Sequence, residues 1–182
     1  MKDNLKVYTF SGVAGSGKTT AANKLKEIIT KYDPDKKVYV LAYADYLKYI
    51  AKTFYDWDGV KDEYGRELLQ TLGTDEIRAT DENFWVNSVI SQIEMFARDA
   101  DVIIMSDARF PNEIQCWYDR LGVENVFDIL LLGTHDETRV NDEQAQHSSE
   151  TALNDWSFAM TLGCPTLEDL EGKLKLVYAI TK

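Results

Sequence analysis

Val7-Tyr8-Thr9-Phe10-Ser11-Gly12-Val13-Ala14-Gly15-Ser16-Gly17-Lys18-Thr19-Thr20-Ala21-Ala22-Asn23-Lys24-Leu25 is the stretch that decides how this chain is read. It begins with an apolar run suited to a buried strand and ends in residues that open a helical pattern. Between them, Gly12 to Thr19 carry a Gly-x-x-x-x-Gly-Lys-Thr loop. Glycines there let successive backbone N–H groups turn inward around a phosphate, and the following helix N-terminus adds partial positive charge. Gly12, Val13, Ala14, Gly15, Ser16, Gly17, Lys18, Thr19 and Thr20 are therefore the expected triphosphate-binding residues. Lys18 is expected to reach the β- and γ-phosphates, and the Thr19 hydroxyl is placed for Mg²⁺. A glycine-rich turn that merely joins strand to helix has no need of the Lys-Thr pair. The expectation is a nucleoside triphosphate, which leaves open what receives the phosphate.

The chain has 182 residues, enough for a single domain over 1–182 with a sizeable core. Its net charge of −11 argues against nonspecific nucleic-acid binding, which needs a basic footprint. It is compatible with a small phosphorylated substrate held by a few well-placed cations and a metal. No run approaches the roughly 20 apolar residues that span a bilayer, so no membrane association is expected. Met1-Lys2-Asp3-Asn4 leads straight into the first strand, leaving no room for a signal peptide. Cys116 and Cys164 have no metal-like spacing and read as small core residues in a reducing, cytoplasmic compartment.

Strand and helix patterns alternate along the chain. Strands are expected at about Lys6 to Ser11, Lys37 to Ala42, Val102 to Met105, Val126 to Leu132 and Phe158 to Leu162. Helices are expected from Lys18 to Thr30, after a capping Asp45, from Phe84 to Phe96, around Ile114 to Leu121, and from Pro165 onward. Residues 55–82 read as a helical excursion, and the polar stretch 133–149 as a lid. Such alternation predicts an α/β fold: a mostly parallel sheet of about five strands with helices on both faces. Ligands of such sheets sit at the carboxyl ends of the strands, where the phosphate loop, Asp45 and Asp107 would meet.

Asp107 ends an apolar strand, a position from which a carboxylate commonly holds Mg²⁺; the competing reading is a cap for the helix begun near Pro111. Phosphoryl transfer needs charge stabilisation and in-line placement, so Arg66, Arg78, Arg109 and Arg139 are cationic candidates. Asp45 reads as a base for a hydroxyl acceptor, as a metal or water ligand, or as a helix cap. Phe84 and Trp85 suit either base stacking or a core.

The residues also resemble a known family. Gly12 to Thr19, Tyr43-Ala44-Asp45-Tyr46-Leu47-Lys48, Gly65-Arg66-Glu67-Leu68-Leu69-Gln70-Thr71-Leu72-Gly73-Thr74 and Phe84-Trp85-Val86 come first. Ser106-Asp107-Ala108-Arg109-Phe110-Pro111-Asn112-Glu113 and His147-Ser148-Ser149-Glu150 follow. In that order they resemble the deoxynucleoside monophosphate kinases of bacteriophages, within the P-loop nucleotide kinase group. The resemblance implies a three-layer kinase fold with an acceptor-binding helical region at about 45–98 and a lid at about 133–149. It also implies Mg²⁺-dependent transfer of the ATP γ-phosphoryl group to a deoxynucleoside 5′-monophosphate, in a monomer or homodimer acting in a host cytoplasm. By that similarity Arg66 grips the acceptor phosphate, and Asp45, Lys48, Thr74 and Trp85 lie around the acceptor. Asp107 and Arg109 flank the phosphates, with Lys18, Arg66 and Arg109 the catalytic set, while His147 and Glu150 shape the acceptor side. The chain departs from the family at Leu162-Gly163-Cys164-Pro165-Thr166, where an Asn-Asp-Gly-Thr-like turn is common. It also has one arginine, Arg139, between Leu132 and His147.

Two other readings stand beside it. One is a P-loop kinase with another small acceptor, such as a deoxynucleoside hydroxyl. The other is a nucleotide-binding module; a guanine-reading switch would carry Asn-Lys-x-Asp late in the chain, whereas Asn23-Lys24-Leu25-Lys26 lies early and lacks the Asp.

Overall fold

The protein, seen as a computed structural model, is described over residues 1–132, 147–163 and 166–182. Strands β1 (Lys6–Ser11), β2 (Val38–Leu41), β3 (Val102–Met105), β4 (Val126–Leu132) and β5 (Met160–Gly163) form one sheet in the order β2-β3-β1-β4-β5. Every pairing is parallel, so the sheet is wholly rather than mostly parallel. β1 lies at the centre with Tyr8 opposite Ile104 on one side and Phe127 on the other.

A parallel sheet needs apolar cover on both faces, and alternate side chains of each strand supply it. On one face Val7, Ile103 and Met105 pack under helix α4 (Phe84–Phe96), through Val86, Val89, Ile90 and Ile93, and under α5 (Pro111–Leu121), through Ile114 and Trp117. On the other, Tyr8, Phe10, Ile104 and Ile129 meet α1 (Lys18–Tyr32) and α7 (Leu167–Thr181). The result is the three-layer α/β architecture that the strand–helix alternation predicts.

A third apolar cluster of Leu47, Ala51, Trp57, Leu72 and Trp85 lies outside the sheet. It joins α2 (Ala44–Phe54), α3 (Glu63–Gln70) and a π-helical stretch (Thr71–Arg78), which together make up most of the expected helical excursion. Gly73 brings the π stretch against α2, since a Cβ there would lie 2.7 Å from Leu47 Cδ2.

Some boundaries differ from expectation for identifiable reasons. β5 starts two residues late, because the Ala159 N–H donates to the Asp128 side chain at 3.2 Å rather than to the ladder. The buried Asp128 carboxylate also accepts from Trp156 Nε1 at 2.7 Å and from Tyr118 Oη. It thereby anchors the chain leaving the short helix α6 (Ser148–Thr151) onto β4. Helix α7 is capped by Thr166, whose hydroxyl accepts from Asp169 N at 3.1 Å. The expected lid residues 133–146, Arg139, Cys164 and the expected helix start at Pro165 lie outside the described residues. Cys116 is buried, as expected. Among the described residues no helix is long and apolar enough to cross a membrane.

Ile104 is fully buried and Ile180 on α7 is 75% exposed. Ile104→Ala is expected to cost about 2–5 kcal/mol in urea unfolding, and Ile180→Ala about 0.5 or less. Equal losses would contradict this placement of the core.

Candidate functional site

The loop after β1 is shaped by glycine backbones that other residues would strain. Gly12 has φ +138° and approaches β4 so closely that a Cβ would lie 2.5 Å from the Leu131 carbonyl oxygen. Gly15 and Gly17 also have positive φ, and Gly17 is the N-cap of α1 in a left-handed conformation with no side-chain cap. The first turn of α1 contains no acidic residue. A helix end of this kind, uncapped by side chains, presents N–H groups and partial positive charge to an anion.

Lys18 is buried, and its Nζ donates to Gly12 O at 2.6 Å and Val13 O at 2.8 Å. Burial, reinforced by Arg109 and opposed by Glu150 and Asp107, lowers its pKa to about 8. The Ala14 N–H donates to Glu150 Oε2 at 3.1 Å, and the other oxygen of that carboxylate accepts from Arg109 Nη1. Glu150 therefore stands against the phosphate loop, an anion on the loop's own donor.

Asp107 is placed by β3 and takes a role that the sequence did not reveal. Its Oδ1 accepts from Tyr43 N at 2.8 Å and its Oδ2 from Ala44 N at 3.0 Å. It thus caps α2, not the helix begun at Pro111. Burial raises its pKa, and these two N–H groups oppose the shift. Asp45 is correspondingly not a cap: it lies in the first turn of α2 and pairs with Lys48 at 2.7 Å. Tyr43, the N-cap, sends its hydroxyl to the Glu113 carbonyl at 2.5 Å and accepts from Trp117 Nε1 at 2.9 Å, tying α2 to α5.

Arg78 is a structural tie. It pairs with Glu113 in a buried contact, donates to Asn112 Oδ1 at 3.1 Å and stacks over Phe110 at 3.7 Å. Glu113 also accepts from Arg109 N at 2.7 Å and Phe110 N at 3.2 Å. Burial pushes the Glu113 pKa up, while Arg78 and these amides pull it down. The backbone of Arg109 is thereby fixed at the cleft.

The far wall comes from α2, α3 and the π stretch. Arg66, Gln70, Thr74 and Arg78, each four residues apart, all line the cleft. In an α-helix a four-residue step overshoots a turn of about 3.6 residues, so such a stripe drifts round the axis. The wider π turn undershoots instead, and the change at Thr71 keeps the stripe on one side. Trp85 is 4% exposed with its Nε1 on Gly73 O at 2.8 Å; it forms part of the cleft floor and the core together.

These walls enclose a cleft of about 830 Å³ at the carboxyl end of the sheet. Of the expected residues, Ala14, Gly15, Gly17, Lys18, Thr19, Thr20, Asp45, Lys48, Arg66, Thr74, Trp85, Asp107, Arg109 and Glu150 line it. Gly12, Val13 and Ser16 shape the loop from outside the lining. His147 does not line the cleft either; it caps α6, accepting from Ser149 N at 3.2 Å, with Nε2 3.5 Å from Asp75. Sequence reasoning missed Lys61 and Gln70. The spacing from Arg66 was a usable signal for Gln70; Lys61 lies in a polar stretch without a motif. Lys61 is accessible as a residue, but desolvation of its ammonium end, then Lys48 and Arg109, lower its pKa against Asp107.

Lys18, Lys48, Lys61, Arg66, Arg78 and Arg109 thus converge in a chain whose net charge is −11. Such focusing draws an anion into a cleft. Among the described residues no three acidic, His or Cys side chains gather as a metal cage. Mg²⁺ does not require one, because it is commonly held by one or two protein oxygens, waters and substrate phosphates. The Thr19 hydroxyl and Asp107 carboxylate are hard oxygen donors that fit that mode.

Neither a family model nor a curated protein matches the sequence. Among solved structures, one described as "Crystal structure of APE1195" is similar over 100% of this chain and 99% of that chain, with a TM-score of 0.50 and 17% identity. At that identity the likeness speaks for the fold alone, a three-layer α/β architecture.

A phosphate that engages the Ala14 N–H must displace Glu150. Glu150→Gln is therefore expected to tighten binding of inorganic tripolyphosphate about tenfold in calorimetry, by removing a competing charge. Unchanged or weaker binding would contradict the competition. The ammonium form of Lys18 is the binding form, so affinity should fall by about tenfold per pH unit above about 8, with proton uptake on binding. A flat profile to about pH 9 would show that Lys18 does not carry the anion.

Proposed function

We propose that this protein is an ATP- and Mg²⁺-dependent phosphotransferase acting on a deoxynucleoside 5′-monophosphate. The observation that carries the reading is the convergence of cations on one cleft from different elements. Lys18 comes from the loop after β1 and Arg109 from the segment after β3, while Lys48, Lys61 and Arg66 come from α2, α3 and the loop between them. Lys61 is close enough to act on both Lys18 and Arg109, so the two groups face one shared space. That much positive charge suits a triphosphate together with a second phosphate. The resemblance to phage monophosphate kinases agrees with this arrangement.

Phosphoryl transfer is governed by positioning and charge stabilisation. In this reading the loop amides and Lys18 hold the β- and γ-phosphates. Thr19 and Asp107 are the residues that would hold Mg²⁺, which would supply neutralisation of phosphate charge. Arg109, its backbone fixed by Glu113, leaves Glu150 and turns to the migrating group. Arg66 holds the acceptor phosphate in line, and Thr74 and Trp85 bound the acceptor's pocket. The acceptor oxygen is already anionic, so no protein base is required.

A kinase acting on a nucleoside hydroxyl is the second reading, and Asp45 lining the cleft favours it. Its carboxylate is engaged by Lys48, however, and the cations of that wall suit an anionic acceptor better than a neutral one.

Lys18→Ala should reduce transfer by orders of magnitude with an unchanged circular dichroism spectrum. Full activity would overturn the assignment. Arg66→Ala should raise KM for the monophosphate about ten- to hundredfold with little change for ATP. An effect confined to ATP would move the acceptor site elsewhere. Asp45→Asn should leave monophosphate turnover largely intact; selective loss of nucleoside phosphorylation would favour the hydroxyl acceptor.

A further inference from the structure

Lys61 lies in the loop between α2 and α3, and neither the phosphate-loop motif nor the family resemblance gives it a role. The loop around it is pinned. Trp57 is 5% exposed and its Nε1 donates to Val60 O at 2.9 Å. Val60 N donates to Asp58 Oδ1 at 2.8 Å, and Asp62 Oδ1 caps α3 by accepting from Gly65 N at 2.8 Å. Lys61 is thus held between two anchored neighbours. Gly65 is the other half of the device: a Cβ there would lie 2.2 Å from Val60 O and 2.7 Å from Trp57 Nε1. Only a residue without a side chain lets the first turn of α3 lie against this loop. The contact fixes Arg66, the next residue, relative to Lys61.

Charge gives that arrangement a purpose. Lys48, Arg109 and Arg66 all act on Lys61, with Asp107 the one opposing acid among its main influences. Lys48 has Asp45 and Arg109 has Glu150. Among the described residues, no carboxylate lies within ion-pair distance of Lys61. Like charges gathered in a cleft repel one another, and an anion that enters between them relieves the repulsion.

We propose that Lys61 and Arg66, set against each other by Gly65, form a two-cation clamp for the acceptor's phosphomonoester, with Lys61 helping to distinguish a monophosphate from its nucleoside. The guanidinium supplies a directional fork and the ammonium a point charge, a pairing suited to a dianion. The inference rests on the monophosphate kinase reading.

The test is calorimetric titration of wild type, Lys61→Met and Lys61→Arg with deoxynucleoside monophosphates, the matching nucleosides and ATP. Lys61→Met should bind the monophosphate about tenfold or more weakly, bind nucleoside and ATP within about threefold of wild type, and melt as wild type does. Lys61→Arg should recover most of the monophosphate affinity. If Lys61→Met binds the monophosphate as wild type does, or weakens nucleoside and ATP equally, the clamp is overturned and the kinase reading stands. If wild type itself does not prefer monophosphates to nucleosides, the reading beneath the clamp falls and the clamp with it.

Discussion

The backbone N–H groups between β1 and α1 are the constraint around which the rest is arranged. Glycines at 12, 15 and 17 take the positive φ that the turn needs, the Ser16 N–H closes it onto Val13 O at 3.1 Å, and no side chain caps the helix that follows. Orphan donors of this kind need an anion or water. Here one of them is met by Glu150, and Lys18 folds back on loop carbonyls. The loop can hold that shape because β1 is the central strand, paired on both sides and buried on both faces.

Three desolvated carboxylates, Glu113 and Asp128 buried and Asp107 half-buried at the cleft, carry that order outward. Asp107 binds the start of α2 to the end of β3. Glu113 joins α5 to Arg78 of the π stretch and to the backbone of Arg109. Asp128 secures the segment after α6, and so the helix that carries Glu150, to β4. Each is satisfied by several donors, as a buried acid must be. Each also fixes a cleft residue that would otherwise ride on a loop, so folding and preorganisation of the site rest on the same contacts.

The sheet was legible because its signals are local. β1 and β4 have the bounds that their apolar runs predict, and the phosphate loop is a contiguous motif. What escaped reading depends on distant pairings. Nothing near Asp107 says that it will cap a helix more than sixty residues earlier. Glu150 reads as an acceptor-side residue until the fold brings it to Ala14. The π stretch has no sequence period of its own that separates it from an α-helix. Lys61 sits in a polar loop whose anchoring by Trp57 and Gly65 only the packed structure reveals.

The central claim is that the cations gathered in one cleft hold a triphosphate and a monophosphate side by side. It is tested most directly by coupled ADP release with ATP, Mg²⁺ and a panel of deoxynucleoside monophosphates and their nucleosides. The account predicts rapid turnover with one or more monophosphates and none with the nucleosides. Turnover with nucleosides alone, or ATP binding without turnover on any member of the panel, would contradict it.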